Sequence, residues 1–309
     1  MLSRIAESLY WIGRYLERAE GTARLLDVYY HQLLEERGIN ETEACGLLLE
    51  IMGYNASTAG IPLTPAGVTH ALAYDEFSPV SIRHSIDEAW ENARGAREAI
   101  SNELWQTLNT LHQGTELEAE AGSAMPHGFF AWILDRSAAF AGLAESTMTH
   151  DDGWRFLGIG RSLERVDMTT RVLRAAGSAV LGRGSWTTML RCCTAHTAFL
   201  RRYRQRVEPQ LAVEFLILDR LFPRSVVHTL NVALRALADL DPRAERIGVV
   251  DEPRRRLGRI ISEIEYTHRD ELYAGLDRMG DRIQRSCADV HDAIAVRYFL
   301  QSAAVEWSS

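Results

Sequence analysis

Two copies of an arginine–glutamate pattern have the residue types and spacing that could do chemistry. The first reads Arg14-x-x-Glu17-Arg18. The second reads Arg161-x-x-Glu164-Arg165 and lies 147 residues further along the chain. A guanidinium group binds a carboxylate or a phosphate through two parallel hydrogen bonds, and a glutamate can orient an arginine or act as a general base. The pattern therefore suits either an anion site or a set of ion pairs.

The segments around these patterns indicate an internal duplication. Residues 12–26 and 159–173 are identical at nine of fifteen positions. A second phrase, Asp-x-x-x-Pro-x-Ser-[Ile/Val]-x-His, begins at Asp75 and recurs from Asp219. Two phrases in the same order at nearly the same offset indicate a repeated unit of about 150 residues. We therefore predict two units, 1–150 and 151–309.

Apolar residues follow a helical period in both predicted units. The first seam consists of Ile5, Leu9, Ile12, Leu16, Ala19, Ala23 and Leu26, and its counterpart consists of Phe156, Ile159, Leu163, Val166, Thr170 and Leu173. Steps of three and four residues are typical of a helix that packs one face into a bundle. The fold class predicted is all-α, with two tandemly duplicated antiparallel helical bundles packed as one compact body. A second long helix is predicted from Pro79 to Leu108, and a break over 114–128.

The Glu-Arg residues lie on the helix face turned away from the apolar seam. A face that meets only water would be expected to accumulate substitutions after duplication, because surface substitutions usually change the free energy of unfolding very little. Two interpretations follow. In the first, Glu17 and Glu164 accept hydrogen bonds from arginines of neighbouring helices. In the second, the glutamates orient the motif arginines, which hold an anion or carboxylate ligand; those arginines are Arg14, Arg18, Arg161 and Arg165.

His84 and His228 each follow a serine by three residues near a predicted helix start. A serine nucleophile with a histidine base is one interpretation, but no oxyanion site can be identified beside either pair. The other interpretation is structural: the serine satisfies free backbone donors in the first helical turn, and the histidine bonds to a neighbouring segment.

Composition narrows the function classes. All 34 basic residues are arginine and the formal net charge is −8. The lack of lysine excludes a lysine nucleophile and a phosphate loop of the lysine type. The negative net charge argues against binding to nucleic acid or to an anionic membrane. No export signal, metal spacing or cofactor motif is recognised, so a cytoplasmic protein without metal or cofactor is expected, its four cysteines reduced.

The chain resembles the bacterial alpha-E family of helical proteins. The resemblance is carried by the phrases S-R-I-A-E-S-L-Y-W-I-G-R-Y-L-E-R-A-E (3–20), F-L-G-I-G-R-S-L-E-R-V-D (156–167) and F-L-I-L-D-R-L-F-P-R-S-V (215–226). It implies association with a circularly permuted ATP-grasp protein of the amide-ligase type, and with a transglutaminase-like peptidase. The family supplies no established catalytic residues.

These observations lead to three hypotheses. The first is a helical accessory or binding subunit of an ATP-grasp system that makes or modifies peptide-like amides, with an acidic or peptidic small molecule as a further ligand. The second is a stand-alone enzyme that forms or cleaves amide bonds. The third is a homo-oligomeric structural protein.

Overall fold

The computed structural model describes residues 2–35, 40–55, 58, 60–121, 126–176, 185–242 and 248–300. The helices are α1 (Ser3–Glu35), α2 (Glu41–Ile51), α3 (Pro65–Thr69), α4 (Ile82–Gly95), α5 (Asn102–Ala121), α6 (Pro126–Thr147), α7 (Asp152–Ala175), α8 (Ser185–Cys192), α9 (His196–Tyr203), α10 (Pro209–Leu218), α11 (Val226–Leu240), α12 (Glu252–Tyr266), α13 (Arg269–Ala274) and α14 (Leu276–Ile294). Short π-helical segments, His70–Tyr74 and Ala295–Phe299, follow α3 and α14. These ranges contain no strand, and the all-α prediction is confirmed.

Helices α1 and α7 lie side by side at the centre of the molecule and run in the same direction. Gly13 of α1 approaches Leu157 and Arg161 of α7, and further along, Gly21 approaches Met168. Every residue of both predicted apolar seams is buried. The seams therefore face the core, as their periodicity predicted.

The other helices surround this central pair in a repeated arrangement. Helices α4 and α6 pack on α1, and α5 packs on both of them. Helices α11 and α14 pack on α7, and α12 packs on both of them. The helix that follows the Ser-x-x-His phrase thus contacts the helix with the Glu-Arg motif in each part of the chain. The division into units 1–150 and 151–309 stays a prediction.

Two glycines bring α1 and α7 into close contact. A Cβ atom on Gly13 would lie 2.2 Å from the carbonyl oxygen of Leu157, and one on Gly160 would lie 2.0 Å from the carbonyl oxygen of Tyr10. Real Cβ atoms do not approach oxygen this closely, so only glycine permits the separation of the two helices at this level. The contact places the Glu-Arg motifs, one turn further on, directly opposite each other.

The second long helix is divided, contrary to the prediction. Helix α4 ends at Gly95, where Ala96 leaves helical geometry, and α5 begins afresh at Asn102. The hydroxyl oxygen of Ser101 accepts a hydrogen bond from the backbone N–H of Leu104 and so caps the new helix. Because both helices bury apolar residues in the same core, the apolar spacing does not reveal the interruption. Pro79 also lies ahead of α4 rather than in its first turn.

The predicted break at 114–128 begins later than expected. Helix α5 continues through Gly114 to Ala121, and residues 122–125 lie outside the described ranges. Gly114 is where the indole of Trp132 packs against α5, since a Cβ atom there would lie 2.4 Å from the ring. This glycine serves a close contact between helices and not a turn.

In the part of the chain that the structure describes, no helix has both the length and the apolar character needed to cross a lipid bilayer.

We expect Gly160→Ala to lower the free energy of unfolding by about 1–3 kcal/mol, because the added methyl group would force α1 and α7 apart. Gly158→Ala on the same helix is the matched control. A Cβ atom there meets nothing within 4 Å, so this change should raise helix propensity and stabilise by up to about 1 kcal/mol. Urea unfolding of both variants measures the difference, and equal stabilities would contradict the close contact.

Candidate functional site

Glu164 of α7 is held by two arginines of α1. Its Oε2 accepts a hydrogen bond from Arg14 Nε at 2.6 Å. Its Oε1 accepts one from Arg18 Nε at 2.6 Å, and Arg18 Nη2 donates to Oε2 at 3.1 Å. The Glu164 side chain is only 2% exposed, so this carboxylate is buried and bound by both guanidinium groups.

Glu17 of α1 is in turn bound by arginines of α7. Arg165 of α7 donates from Nε and Nη2 to its two carboxylate oxygens at 2.7 and 2.6 Å. Arg161 Nε lies 3.7 Å from Oε2 as a looser ion pair. Each motif glutamate thus contacts the arginines of the other motif. We call the six motif residues the crossed Glu–Arg network.

A seventh residue, Arg224, extends this network to the segment ahead of α11. Arg224 Nη1 donates to Glu17 Oε1 at 3.1 Å, and its Nη2 donates to Glu20. Arg24 also donates to Glu20, at 2.6 Å. On the other side, Arg18 Nη1 donates to the carbonyl oxygen of Pro79 at 3.2 Å, just ahead of α4. The network therefore fixes the starts of α4 and α11 as well as the central pair.

The arginines control the protonation of both glutamates. Burial alone would raise the pKa of Glu164, but the neighbouring Arg14 and Arg18 guanidinium groups lower it to about 2. The pKa of Glu17 is lowered further, because Arg165 and Arg224 outweigh the effect of its burial. A carboxylate with so low a pKa is a poor general base near neutral pH. These are the contacts that the ion-pair interpretation predicts, whereas a ligand on the network stays a prediction.

The Ser-x-x-His phrases form two matching helix starts. The Ser81 hydroxyl donates to the carbonyl oxygen of Asp75 at 2.6 Å and accepts from the backbone N–H of His84 at 3.0 Å. His84 Nδ1 lies 3.0 Å from the carbonyl oxygen of Glu76, to which it donates as the N–H tautomer. The hydroxyl is fully buried and occupied, so it caps α4 and is not presented to a substrate.

The second phrase repeats these contacts. The Ser225 hydroxyl donates to the carbonyl oxygen of Asp219 and accepts from the backbone N–H of His228 at 3.2 Å. His228 Nδ1 lies 2.8 Å from the carbonyl oxygen of Arg220. His84 and His228 therefore brace the turns ahead of α4 and α11, and the structure brings neither of them into contact with the motif glutamates.

Two cysteines and a small cluster of possible metal ligands are the other potentially reactive groups described. Burial raises the pKa of the Cys193 and Cys287 thiols to about 12, so neither is a ready nucleophile. Asp27, His31 and His127 place three possible metal-ligand atoms within 4.8 Å of one another. His127 is hydrogen-bonded to Asp27, and His31 lies one helical turn from Asp27, with its Nε2 3.8 Å from Asp27 Oδ1. The four-residue spacing of Asp27 and His31 was the signal for this cluster in the sequence.

Two cavities of several hundred Å³ in the described part of the chain lie against α7. The larger, about 620 Å³, contains Arg171 and Arg174, which form ion pairs with Asp167 and Asp281. The smaller, about 400 Å³, lies between α6, α7 and α11, and Arg161 and Arg165 of the crossed network reach its wall. We call this second space the α7 cavity.

The comparisons with known proteins bear on the same motif. A profile described as "Alpha-E: a predicted alpha-helical domain with a conserved ER motif" matches residues 1–299. The chain belongs to the Alpha-E family. Glu17-Arg18 and Glu164-Arg165 are ER pairs at the centre of the crossed network. A conserved ER motif is consistent with carboxylates that two helices must bury together.

Relatives of this Alpha-E chain include uncharacterized proteins of Mycobacterium. One from Mycobacterium bovis (strain ATCC BAA-935 / AF2122/97) and one from Mycobacterium tuberculosis (strain CDC 1551 / Oshkosh) are each 28% identical over 323 residues. The match covers 94% of this chain and 36% of each relative. The chain therefore spans about a third of the length of these relatives. No solved structure gives a significant match.

Sequence reasoning identified the motif residues but missed Arg224. No spacing rule connects an arginine ahead of α11 to a glutamate of α1. The repeated Pro-x-Ser phrase around Arg224 was the available signal, since it marked this segment as retained in both parts of the chain.

Glu164→Gln should lower the free energy of unfolding by about 3–5 kcal/mol, because it leaves Arg14 and Arg18 without their buried counter-charge. Glu91→Gln is the control: Glu91 pairs with Arg94 on the surface, with both side chains 55% exposed. That change should cost less than about 1 kcal/mol. Chemical denaturation measures both, and similar small losses would contradict a structural role for the network.

The stability difference between the wild type and Glu164→Gln should also depend on pH. A carboxyl group whose pKa is lowered in the folded state stabilises above its unfolded pKa, and this contribution is lost as the pH falls through the folded pKa. For Glu164 the window runs from the ordinary value of 4.5 down to about 2. Urea unfolding at a series of pH values should show the difference narrowing across this window. A constant difference would contradict the ion pairs.

Proposed function

We propose that this chain is a helical binding subunit that docks onto an ATP-grasp amide ligase. The proposal is carried by a matched pair of exposed apolar side chains. Phe77 is 85% exposed and Leu221 is 89% exposed. Both stand two residues after the aspartate of the repeated phrase, on the turns ahead of α4 and α11. An apolar side chain held in the open on an ordered turn can fill an apolar pocket of a partner protein.

Both anchor turns are held by the same hydrogen bond. The backbone N–H of Phe77 donates to Asp75 Oδ1 at 2.9 Å, and that of Leu221 donates to Asp219 Oδ1 at 2.8 Å. A turn that is already fixed loses little conformational entropy when a partner binds. The aspartates of the phrase therefore support docking by presenting each apolar side chain in one orientation.

The turn of the second anchor is joined to the end of α12, which carries an exposed aromatic residue. Arg220, next to Leu221, donates from Nε to Glu265 Oε1 at 3.0 Å and so joins the turn to the end of α12. The next residue of α12, Tyr266, is 90% exposed. Tyrosine is enriched in the buried centres of protein interfaces. Leu221 and Tyr266 together provide a larger apolar surface than either alone.

The contacts of the candidate catalytic residues favour binding over turnover by this chain. Glu17 and Glu164 are fully engaged with arginines, and the Ser81 and Ser225 hydroxyls cap helices. None of these four groups is free to act as a nucleophile or a general base toward a substrate. An accessory role leaves the chemistry to the partner.

The identity of the partner comes from the family resemblance. Alpha-E proteins are associated with circularly permuted ATP-grasp proteins, and a transglutaminase-like peptidase is a second candidate partner. The greater length of the mycobacterial relatives supports a unit that works beside other domains. The complex would act in the cytoplasm, where ATP is available, on peptide-like amides.

The double variant Phe77→Ala/Leu221→Ala tests this function. The purified chain and a circularly permuted ATP-grasp protein of the amide-ligase type from the same organism are mixed, and their affinity is measured by calorimetry. Loss of two anchors should weaken binding by roughly tenfold or more, with an unchanged melting temperature because both side chains are exposed. Leu117→Ala, which removes another exposed apolar side chain on α5, is the control and should bind like the wild type.

Two outcomes would contradict the proposal. If the double variant binds the ligase as tightly as the wild type, the two turns are not the docking surface. If the isolated chain forms or cleaves an amide bond without the ligase, the chain is an enzyme. Light scattering of the chain alone distinguishes the remaining alternative, a homo-oligomer.

A further inference from the structure

The α7 cavity combines unpaired positive charge with an apolar wall. Its volume is about 400 Å³, within the range of small-molecule pockets. Arg155, Arg161, Arg165 and Arg235 line it, with Glu145 and Asp239 as the acidic residues. The space belongs to this chain alone, and its occupation is independent of the docking function proposed above.

Two of the four arginines make no hydrogen bond to the described residues. Arg165 is bound to Glu17, and Arg155 donates to the carbonyl oxygen of His150 and pairs with Asp239. Arg161 has only the 3.7 Å ion pair with Glu17 and no hydrogen bond within the described ranges. Arg235 is exposed and has neither an ion pair nor a hydrogen bond to the described residues. Both residues line the α7 cavity.

The surroundings of Arg161 favour an added anion. Burial lowers its pKa, and the nearby positive charges of Arg165 and Arg224 lower it further against the opposing effect of Glu17. An oxyanion beside this guanidinium group would offset both effects and accept its unused N–H donors.

The equivalent position on α1 is closed. Arg14 donates to the Tyr10 hydroxyl at 2.9 Å, and its guanidinium carbon lies 5.8 Å from the centre of the Trp11 ring. Arg18 lies 5.6 Å from the centre of the Tyr15 ring. The same arginines that bind Glu164 are therefore covered by the aromatic side chains of their own helix.

On α7 the three covering residues are replaced. At the 147-residue offset, Tyr10, Trp11 and Tyr15 correspond to Leu157, Gly158 and Ser162. All three of these residues line the α7 cavity, so the missing aromatic rings account for part of its space. The ion pairs with Glu17 form without those rings. The two helices thus make matching Glu–Arg contacts, and the cavity lies on α7 at the positions where α1 carries aromatic rings.

The lining selects the class of ligand. Guanidinium groups bind carboxylates and phosphates, but Glu145 and Asp239 oppose a multiply charged anion. Trp154, Leu157 and Val232 offer apolar contacts to the remainder of a ligand. We propose that the α7 cavity binds a small, singly charged organic acid with an apolar body, its carboxylate held by Arg161 and Arg235.

Calorimetry on the isolated chain tests the site with N-acetyl-L-leucine, its uncharged counterpart N-acetyl-L-leucinamide, and inorganic phosphate. The acid should bind saturably. The amide should bind at least about tenfold more weakly because it cannot form the charge-assisted bidentate bond, and phosphate at least about tenfold more weakly because Glu145 and Asp239 oppose its charge. Equal binding of acid and amide, tighter binding of phosphate, or no saturable binding of the acid up to its solubility limit would overturn the proposal.

Two kinds of variant locate the binding. Arg161→Gln and Arg235→Gln should each lower the affinity for the acid by about tenfold. Arg94→Gln, on the exposed surface of α4, should leave this affinity unchanged. Trp11 covers Arg14 on α1, and Gly158 is its counterpart on α7. Gly158→Trp should therefore place a ring over the cavity arginines and abolish binding. A Cβ atom meets nothing within 4 Å at Gly158 or at Gly258, so Gly258→Trp on α12 is its control. Circular dichroism confirms that each variant is folded. Unchanged affinity in folded Gly158→Trp would show that the acid binds elsewhere.

Discussion

The structure depends on the burial of two carboxylates between two parallel helices. Glu17 and Glu164 have almost no contact with water, and an unpaired charge in that position would cost several kcal/mol. Glu164 is satisfied by guanidinium groups of the opposite helix, and Glu17 by those of the opposite helix together with Arg224. The separation, direction and register of α1 and α7 are therefore all constrained by one requirement, and the two glycines one turn earlier permit the close approach that it needs.

The arginines transmit this constraint outward. Arg18 reaches Pro79 ahead of α4, and Arg224 reaches Glu17 from the segment ahead of α11. The turns that carry Phe77 and Leu221 belong to these same segments. The ion-pair network at the centre of the molecule thus contacts both segments that carry the exposed apolar side chains. Structural contacts and the proposed docking surface are in this way parts of one arrangement.

The sequence was sufficient to predict the helical class, both apolar seams and the chemical character of the Glu-Arg face, because helical periodicity assigns each residue to a face. It did not identify the partners across that face. Arg224 joins Glu17 from a distant segment, and no local pattern encodes such a contact. The interruption between α4 and α5 was missed for a related reason: apolar residues on either side of Ala96 enter one core, so their spacing continues through the break.

The α7 cavity was hidden from sequence reasoning because it arises from a difference between the repeats. Comparison of the two segments drew attention to identical positions, yet Leu157, Gly158 and Ser162 matter here because they are not the aromatic residues of α1. Only the packing of α6 and α11 against α7 shows the space that the absent aromatic rings leave.

The reciprocal pairing of the two motifs has a consequence for assembly and ancestry. A polypeptide with a single motif helix would bury its glutamate without the arginines that satisfy it. Two copies facing each other about a twofold axis would supply those arginines to each other, since every contact would be self-complementary. The central helix pair is therefore an interface of the kind that symmetric homodimers use, enclosed within one polypeptide. Joining two such copies in tandem would remove the concentration dependence of the association and would free one copy to diverge.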